Sequence, residues 1–173
     1  MSRKLSVLVL EGLPTLYAGG QERSLYEVVR GLRKQGAAVT LAFEKDGDLV
    51  PRYCALGVEI FQIPARQVIL KSINAPQSIW KFSVSLCRVV RRWREAKQKW
   101  NLIYVNQYFD LPLAVLSGRI LKIPVVCHLR LAAPIYLSRQ YRWGLNRCNL
   151  LICNSHFCAR TYQQEGISAE KMS

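Results

Sequence analysis

Leu5-Ser6-Val7-Leu8-Val9-Leu10 runs directly into Glu11-Gly12-Leu13-Pro14-Thr15-Leu16-Tyr17-Ala18-Gly19-Gly20-Gln21-Glu22. The first six residues read as a buried strand. A helical pattern then occupies about residues 21–35. A strand, a loop ending in a glycine pair and a helix start form a ready anion site. Free backbone N–H groups and the positive end of the helix dipole both face the loop. The stretch therefore points to a ligand bearing phosphate or carboxylate, with a plain tight turn at Gly19-Gly20 as the alternative. The dinucleotide fingerprint G-x-G-x-x-G is absent, because Gly12 and Gly19 are too far apart for it, which argues against a nicotinamide or flavin enzyme.

Working outward, short apolar runs alternate with helical patterns along the whole chain. Strands are predicted at residues 5–10, 39–43, 58–63, 102–106, 125–128 and 150–153, and helices near 21–35, 48–56, 77–99, 111–122, 135–147 and 155–165. The strands are rich in β-branched residues and lack polar alternation, as expected when both faces of a parallel sheet are covered. Pro112 near a helix start, and Gly36 and Gly166 after helix ends, fit that punctuation. The expected fold is α/β: a Rossmann-like, doubly wound, mostly parallel sheet of about six strands with helices on both faces. Ligands in such sheets sit beyond the carboxyl ends of the strands. That rule brings the glycine loop, Asn106-Gln107-Tyr108, His128-Leu129-Arg130 and Asn154-Ser155-His156 to one rim.

At 173 residues the chain suits a single domain spanning residues 1–173. No window approaches the roughly 20 apolar residues that cross a bilayer. Met1-Ser2-Arg3-Lys4 before residues 5–10 resembles a signal peptide, but the apolar run is too short and leads to Glu11, so a first strand in a cytosolic protein is expected. Cys54, Cys87, Cys127, Cys148, Cys153 and Cys158 are scattered through apolar segments, which suggests reduced, buried thiols. Cys153-Asn154-Ser155-His156-Phe157-Cys158 lacks a second pair at zinc-like spacing, so no metal site is expected.

The formal charge is +14, unevenly spread. Residues 1–75 carry 10 Lys and Arg against 7 Asp and Glu, whereas residues 76–173 carry 15 against 4. An anionic partner follows: nucleic acid, acidic lipid headgroups or a phosphorylated substrate. Residues 78–100 place Ile79, Phe82, Leu86, Val89, Val90, Trp93, Ala96 and Trp100 on one helical face beside a basic excess. The plain reading is a sheet-covering helix with a solvated charged face. The sharper one rests Lys81, Arg88, Arg91, Arg92 and Trp93 on an anionic membrane. Nucleic acid is a weaker candidate, since no recognition helix, finger or aromatic RNA-binding signature is present.

Gly19-Gly20-Gln21-Glu22, the helix ending at Gly36 and the strand Val39-Thr40-Leu41 resemble the opening of family 4 glycosyltransferases, whose usual form is G-G-x-E. Asn101 to Asn106, Ile123 to His128 and Asn149 to Ser155 match in the same order. The resemblance covers nearly the whole chain. It implies the B-type glycosyltransferase architecture of two Rossmann-like lobes, with this chain as the N-terminal, acceptor-binding domain and the donor-binding domain absent from it. It further implies retaining transfer from a nucleotide-sugar, used as co-substrate, with no bound metal and no other cofactor.

By position, Gly19 and Gly20 would approach the donor diphosphate or the transferred sugar, and His128 would be the catalytic-edge residue that donates a hydrogen bond to that sugar. Acceptor contacts are expected from Tyr17, Asn106, Arg130, Asn154 and Ser155, with Ser155 also a helix N-cap and Arg139 a further candidate for anionic groups. The chain departs from the family at Gly36-Ala37, often Gly-His, and at Leu129-Arg130, where an acidic residue or glycine often follows the histidine. The family's paired glutamates and diphosphate-neutralising basic residues belong to the other lobe, so the isolated chain is expected to have little or no transferase activity. The expected partners are a nucleotide-sugar, a lipid-linked or saccharide acceptor, a separate donor-domain chain and the inner face of an anionic membrane. The competing function is a non-catalytic basic module that docks on membranes or on a partner protein.

Overall fold

The computed structural model describes residues 4–17, 19–67, 74–97 and 99–173. Met1, Ser2 and Arg3 of the signal-like start, Ala18 of the glycine loop and residue 98 of the predicted basic helix lie outside them.

Six strands form one sheet: β1 (Ser6–Glu11), β2 (Ala38–Phe43), β3 (Glu59–Gln62), β4 (Leu102–Val105), β5 (Val125–Leu129) and β6 (Leu150–Cys153). They lie in the order β3-β2-β1-β4-β5-β6, and every pairing is parallel. Among the described residues the α-helices are α1 (Gly20–Lys34), α2 (Val50–Ala55), α3 (Ala75–Glu95), α4 (Leu111–Leu121), α5 (Arg139–Arg147) and α6 (His156–Gln164).

The central strand shows why the apolar runs do not alternate. Successive side chains of a strand point to opposite faces. Val7 and Val9 pack with Leu25 and Val29 of α1 and with Tyr53 of α2. Leu8 and Leu10 join the second core, with Phe82 of α3, Leu113 of α4 and Leu145 of α5. Both faces are covered, so every position of β1 is buried. Chain order reverses between β1, paired with Val39 through Val7, and β4, paired with Val7 through Leu102. This crevice is where ligands bind in open α/β sheets.

Two helix boundaries differ from the sequence reading. The basic helix stops at Glu95, because Ala96 adopts extended backbone (φ −62°, ψ 132°). The helix expected over 135–147 begins only at Arg139. The extended Ser138 (φ −61°, ψ 153°) is the N-cap that sets this boundary. A 3-10 turn at Tyr108–Asp110, unforeseen from the sequence, leads into α4. The thiols are free as expected, but Cys54 and Cys87 are exposed rather than buried, since each falls on the solvent side of its helix. Among the described residues no helix is long and apolar enough to cross a membrane.

Candidate functional site

At the carboxyl edge of the sheet, three side chains from three strand ends are joined in a row. Asn106, buried just beyond β4, donates from Nδ2 to the Gln21 carbonyl in the first turn of α1 (3.0 Å). Its Oδ1 accepts from Arg130 Nε, just beyond β5 (2.7 Å). Asn154, following β6, donates from Nδ2 to the Arg130 carbonyl (2.7 Å). One hydrogen-bonded line thus crosses the switch point from α1 to α6. Ser155 closes it as the α6 N-cap, its Oγ accepting from Cys158 N (3.1 Å).

The start of α1 is open. Gly19 has φ 134°, backbone that side chains rarely adopt, and it offers no side-chain cap to the helix. A Cβ built on Gly20 would meet nothing within 4 Å. The first N–H groups of α1 therefore keep their capacity for an anion beside the Asn106 contact. Tyr17 is also at this edge, but it is 92 % exposed and no side-chain bond ties it to the row.

His128 belongs to the same side of the sheet as Tyr104 and Val126, the side that α1 covers. Its Nδ1 lies 2.8 Å from the Tyr104 hydroxyl. Burial pushes Tyr104 up to about 12, so that hydroxyl keeps its proton and donates it. Burial and the neighbouring Arg130 cation pull His128 down to about 4. The imidazole is therefore neutral, Nδ1 accepts, and the ring proton sits on Nε2 as a donor. Arg130 keeps one buried nitrogen, Nη2, without a partner among the described residues. A cation with a spare donor beside a neutral imidazole N–H suits an oxyanion and a hydroxyl of one ligand.

The same carboxyl edge carries an ionic cluster that sequence reasoning missed. Arg66, after β3, pairs with Asp110 (2.8 Å) and with Glu44 (3.2 Å). Its guanidinium rests on Gly12, where a Cβ would stand 2.3 Å from Cζ. Glu11 Oε1 accepts from Gly12 N (2.8 Å), while Oε2 has no partner among the described residues. Burial and the nearby Asp110 push Glu11 up to about 8, so it is protonated at neutral pH. Burial also raises Asp110, against the pull of Arg66. Gln107, in the loop the sequence placed at the rim, has φ 143° and is 2 % exposed, with Nε2 unpartnered among the described residues. Strain of this kind concentrates where a loop is held for function.

The arginines assigned to a membrane face are mostly engaged. Arg91 pairs with Glu95 (2.7 Å), Arg92 lies 3.8 Å from Glu59, and Arg88 donates to the Gln62 carbonyl (3.1 Å). Trp93 is half-buried rather than free at the surface: it packs against the core and donates to the Trp100 carbonyl. The exposed tryptophan of α3 is Trp80, which the periodicity passed over. Lys81 is exposed.

The sequence model of Glycosyltransferase Family 4 matches residues 18–173. The chain belongs to that family. No curated protein matches the sequence. Among solved structures, this family 4 chain is similar to Anabaena HepE in complex with UDP, at 22% identity and a TM-score of 0.71 over 98% of this chain and 43% of that one. It is also similar to the lipopolysaccharide outer core galactosyltransferase WaaB, at 11% identity and a TM-score of 0.67 over 96% of this chain and 44% of that one. MurG of Acinetobacter baumannii follows at 17% identity and 0.60, over 84% of this chain and 40% of that one. These likenesses show the fold. The family 4 chain spans less than half the length of each.

Proposed function

We propose that this chain is the acceptor-side lobe of a retaining glycosyltransferase that uses a nucleotide-sugar, and that a second lobe outside residues 1–173 completes the cleft. The observation that carries the reading is the row from Gln21 through Asn106 and Arg130 to Asn154, with the Arg130 nitrogen unpartnered and the His128 ring neutral. In this reading Arg130 holds an anionic oxygen of the acceptor. His128 donates from Nε2 to a hydroxyl of the transferred sugar, and Tyr104 fixes the ring. The uncapped start of α1 stabilises negative charge on the leaving diphosphate. UDP in the HepE structure supports a nucleotide co-substrate. Cleavage of such a donor needs charge stabilisation from both walls of a closed cleft, and this lobe supplies one.

The test has two arms. Given a panel of nucleotide-sugars with saccharide and lipid-linked acceptors, the chain alone is expected to transfer nothing above background; measurable turnover would overturn the incompleteness. Acceptor binding, followed by ligand-observed NMR, is expected for the wild type and lost in Arg130→Gln and Asn106→Ala. Binding that survives both substitutions would remove the row from the site.

A further inference from the structure

The row at the carboxyl edge uses Arg130, one of seven Lys and Arg in residues 111–164, a stretch that holds no Asp or Glu. Three of the others line one open cavity of about 390 Å³: Arg119 of α4, Lys122 just after it and Arg147 of α5. The cavity lies at the amino ends of β5 and β6, the edge opposite the row. β5 is five residues long, so its two ends stand about 13 Å apart at 3.3 Å per residue. Small-molecule sites typically enclose about 300–1,000 Å³.

Cations near helix ends ordinarily serve the free carbonyls there. These three do not. The Gly118 carbonyl of α4 accepts from Ile123 N (3.0 Å), and the Gly144 carbonyl of α5 accepts from Cys148 N (2.9 Å). The Asn146 and Cys148 carbonyls accept from Lys171 Nζ. Among the described residues Arg119, Lys122 and Arg147 form no ion pair and no side-chain hydrogen bond. Arg119 lies over the Trp143 ring, 5.6 Å from its centre. Asn149 Oδ1 accepts from Val125 N (2.8 Å), which leaves Nδ2 as a further donor in the lining.

Lys122 is the telling residue. It has φ 57° and ψ 43°, left-handed backbone that an L side chain adopts at a cost. After α1, α2 and α6 the left-handed residue is Gly36, Gly57 or Gly166. After α4 the chain keeps a lysine where glycine would relieve the backbone, and this sets a third cation in a cavity lined by no carboxylate. Gly118 holds the wall beneath. A Cβ there would stand 2.7 Å from Val125 Cγ2 and 2.9 Å from the Ile123 carbonyl oxygen, so α4 sits directly on β5. Three cations from two helices and a turn, around one small recess, match the clustered oxygens of a di- or triphosphate. A recess of this size suits a small molecule better than a nucleic-acid backbone.

We propose that the recess between α4, α5 and the amino ends of β5 and β6 binds a small molecule bearing a di- or triphosphate group, at a site separate from the row at the carboxyl edge. This site does not depend on the transferase reading.

Titration of the full chain with inorganic pyrophosphate, followed by amide NMR, tests it. The salt is held at about 0.15 M, where exposed charges are screened beyond about 8 Å. Saturable shifts are expected at Arg119, Lys122, Ile123 and Asn149. Lys122→Gly and Arg147→Gln are each expected to weaken binding about tenfold. Lys122→Gly is also expected to melt no lower than the wild type, because glycine accepts left-handed backbone, which separates lost binding from lost folding. Arg94→Gln with Arg160→Gln removes two exposed charges elsewhere and is expected to change affinity by no more than about twofold. Absence of saturable shifts, shifts confined to residues 20–22 and Arg130, site variants that bind like wild type, or an equal loss in the control pair overturns the proposal. So does a single-stranded oligonucleotide that binds the same residues more tightly than pyrophosphate. The amides report the two edges of the sheet separately, so failure here leaves the transferase reading intact, and loss of acceptor binding leaves this site intact.

Discussion

Glu11 and His128 carry opposite pH signatures although both lie near one edge of the sheet, Glu11 buried and His128 half-buried. Folded Glu11 holds its proton up to about 8, against 4.5 for an unperturbed glutamate. Between those values the native state binds the extra proton. Its stabilising contribution is therefore complete below about 4.5 and is lost as pH rises through 8, by at most about 1.4 kcal/mol per pH unit. Glu11→Gln keeps an acceptor for Gly12 N and is expected to flatten that slope in denaturant titrations across the window. His128 runs the other way: its folded pKa near 4 lies below 6.5, so its contribution is present above 6.5 and fades as pH falls toward 4. Arg130→Gln removes the adjacent cation and is expected to raise the His128 midpoint, followed by NMR of the ring protons. No rise would mean that burial alone holds the ring neutral.

At the scale of elements, the caps and close approaches carry measurable weight. Ser155→Ala deletes the hydroxyl that accepts from Cys158 N at the start of α6. A loss of about 0.5–2 kcal/mol in equilibrium unfolding is expected. Gly144 of α5 faces Leu111 of α4 so closely that a Cβ would lie 2.7 Å from the leucine Cβ. Gly144→Ala is expected to cost about 1–3 kcal/mol by forcing the two helices apart, read as a lower melting temperature. Elements were legible in the sequence because apolar runs and glycine stops are local signals: Gly36 and Gly166 follow α1 and α6 with φ 82° and 79°. The rim could be read from them, since a parallel sheet sends every strand end the same way. What joins across the rim could not. Arg66 meets Glu44 and Asp110 at separations of 22 and 44 residues, and one sequence holds no record of such pairings. Burial of Glu11 depends on the same long-range packing. The late start of α5 rests on the extended backbone at Ser138, which the helical pattern over 135–147 does not reveal.

The whole molecule is a sheet whose two halves meet at one seam. Each face of the sheet carries its own core, under α1 and α2 on one side and under α3, α4 and α5 on the other, and strands of both halves feed both cores: Leu8, Ala42, Val105 and Cys127 on one face, Val9, Leu41 and Tyr104 on the other. The seam is the pairing of Val7 with Leu102, ninety-five positions apart. On a ribosome this spacing sets a timetable. A nascent chain halted before Leu102 can pair β1 with β2 and β2 with β3, yet the other flank of its central strand stays bare and ready to pair with a neighbouring chain. Arrested chains ending at residue 100 are expected to be cut rapidly by protease, and protection is expected to begin once β4 has cleared the exit tunnel. Synthesis speed between β3 and β4, rather than the strength of any one contact, then decides how long newly made copies remain open to aggregation.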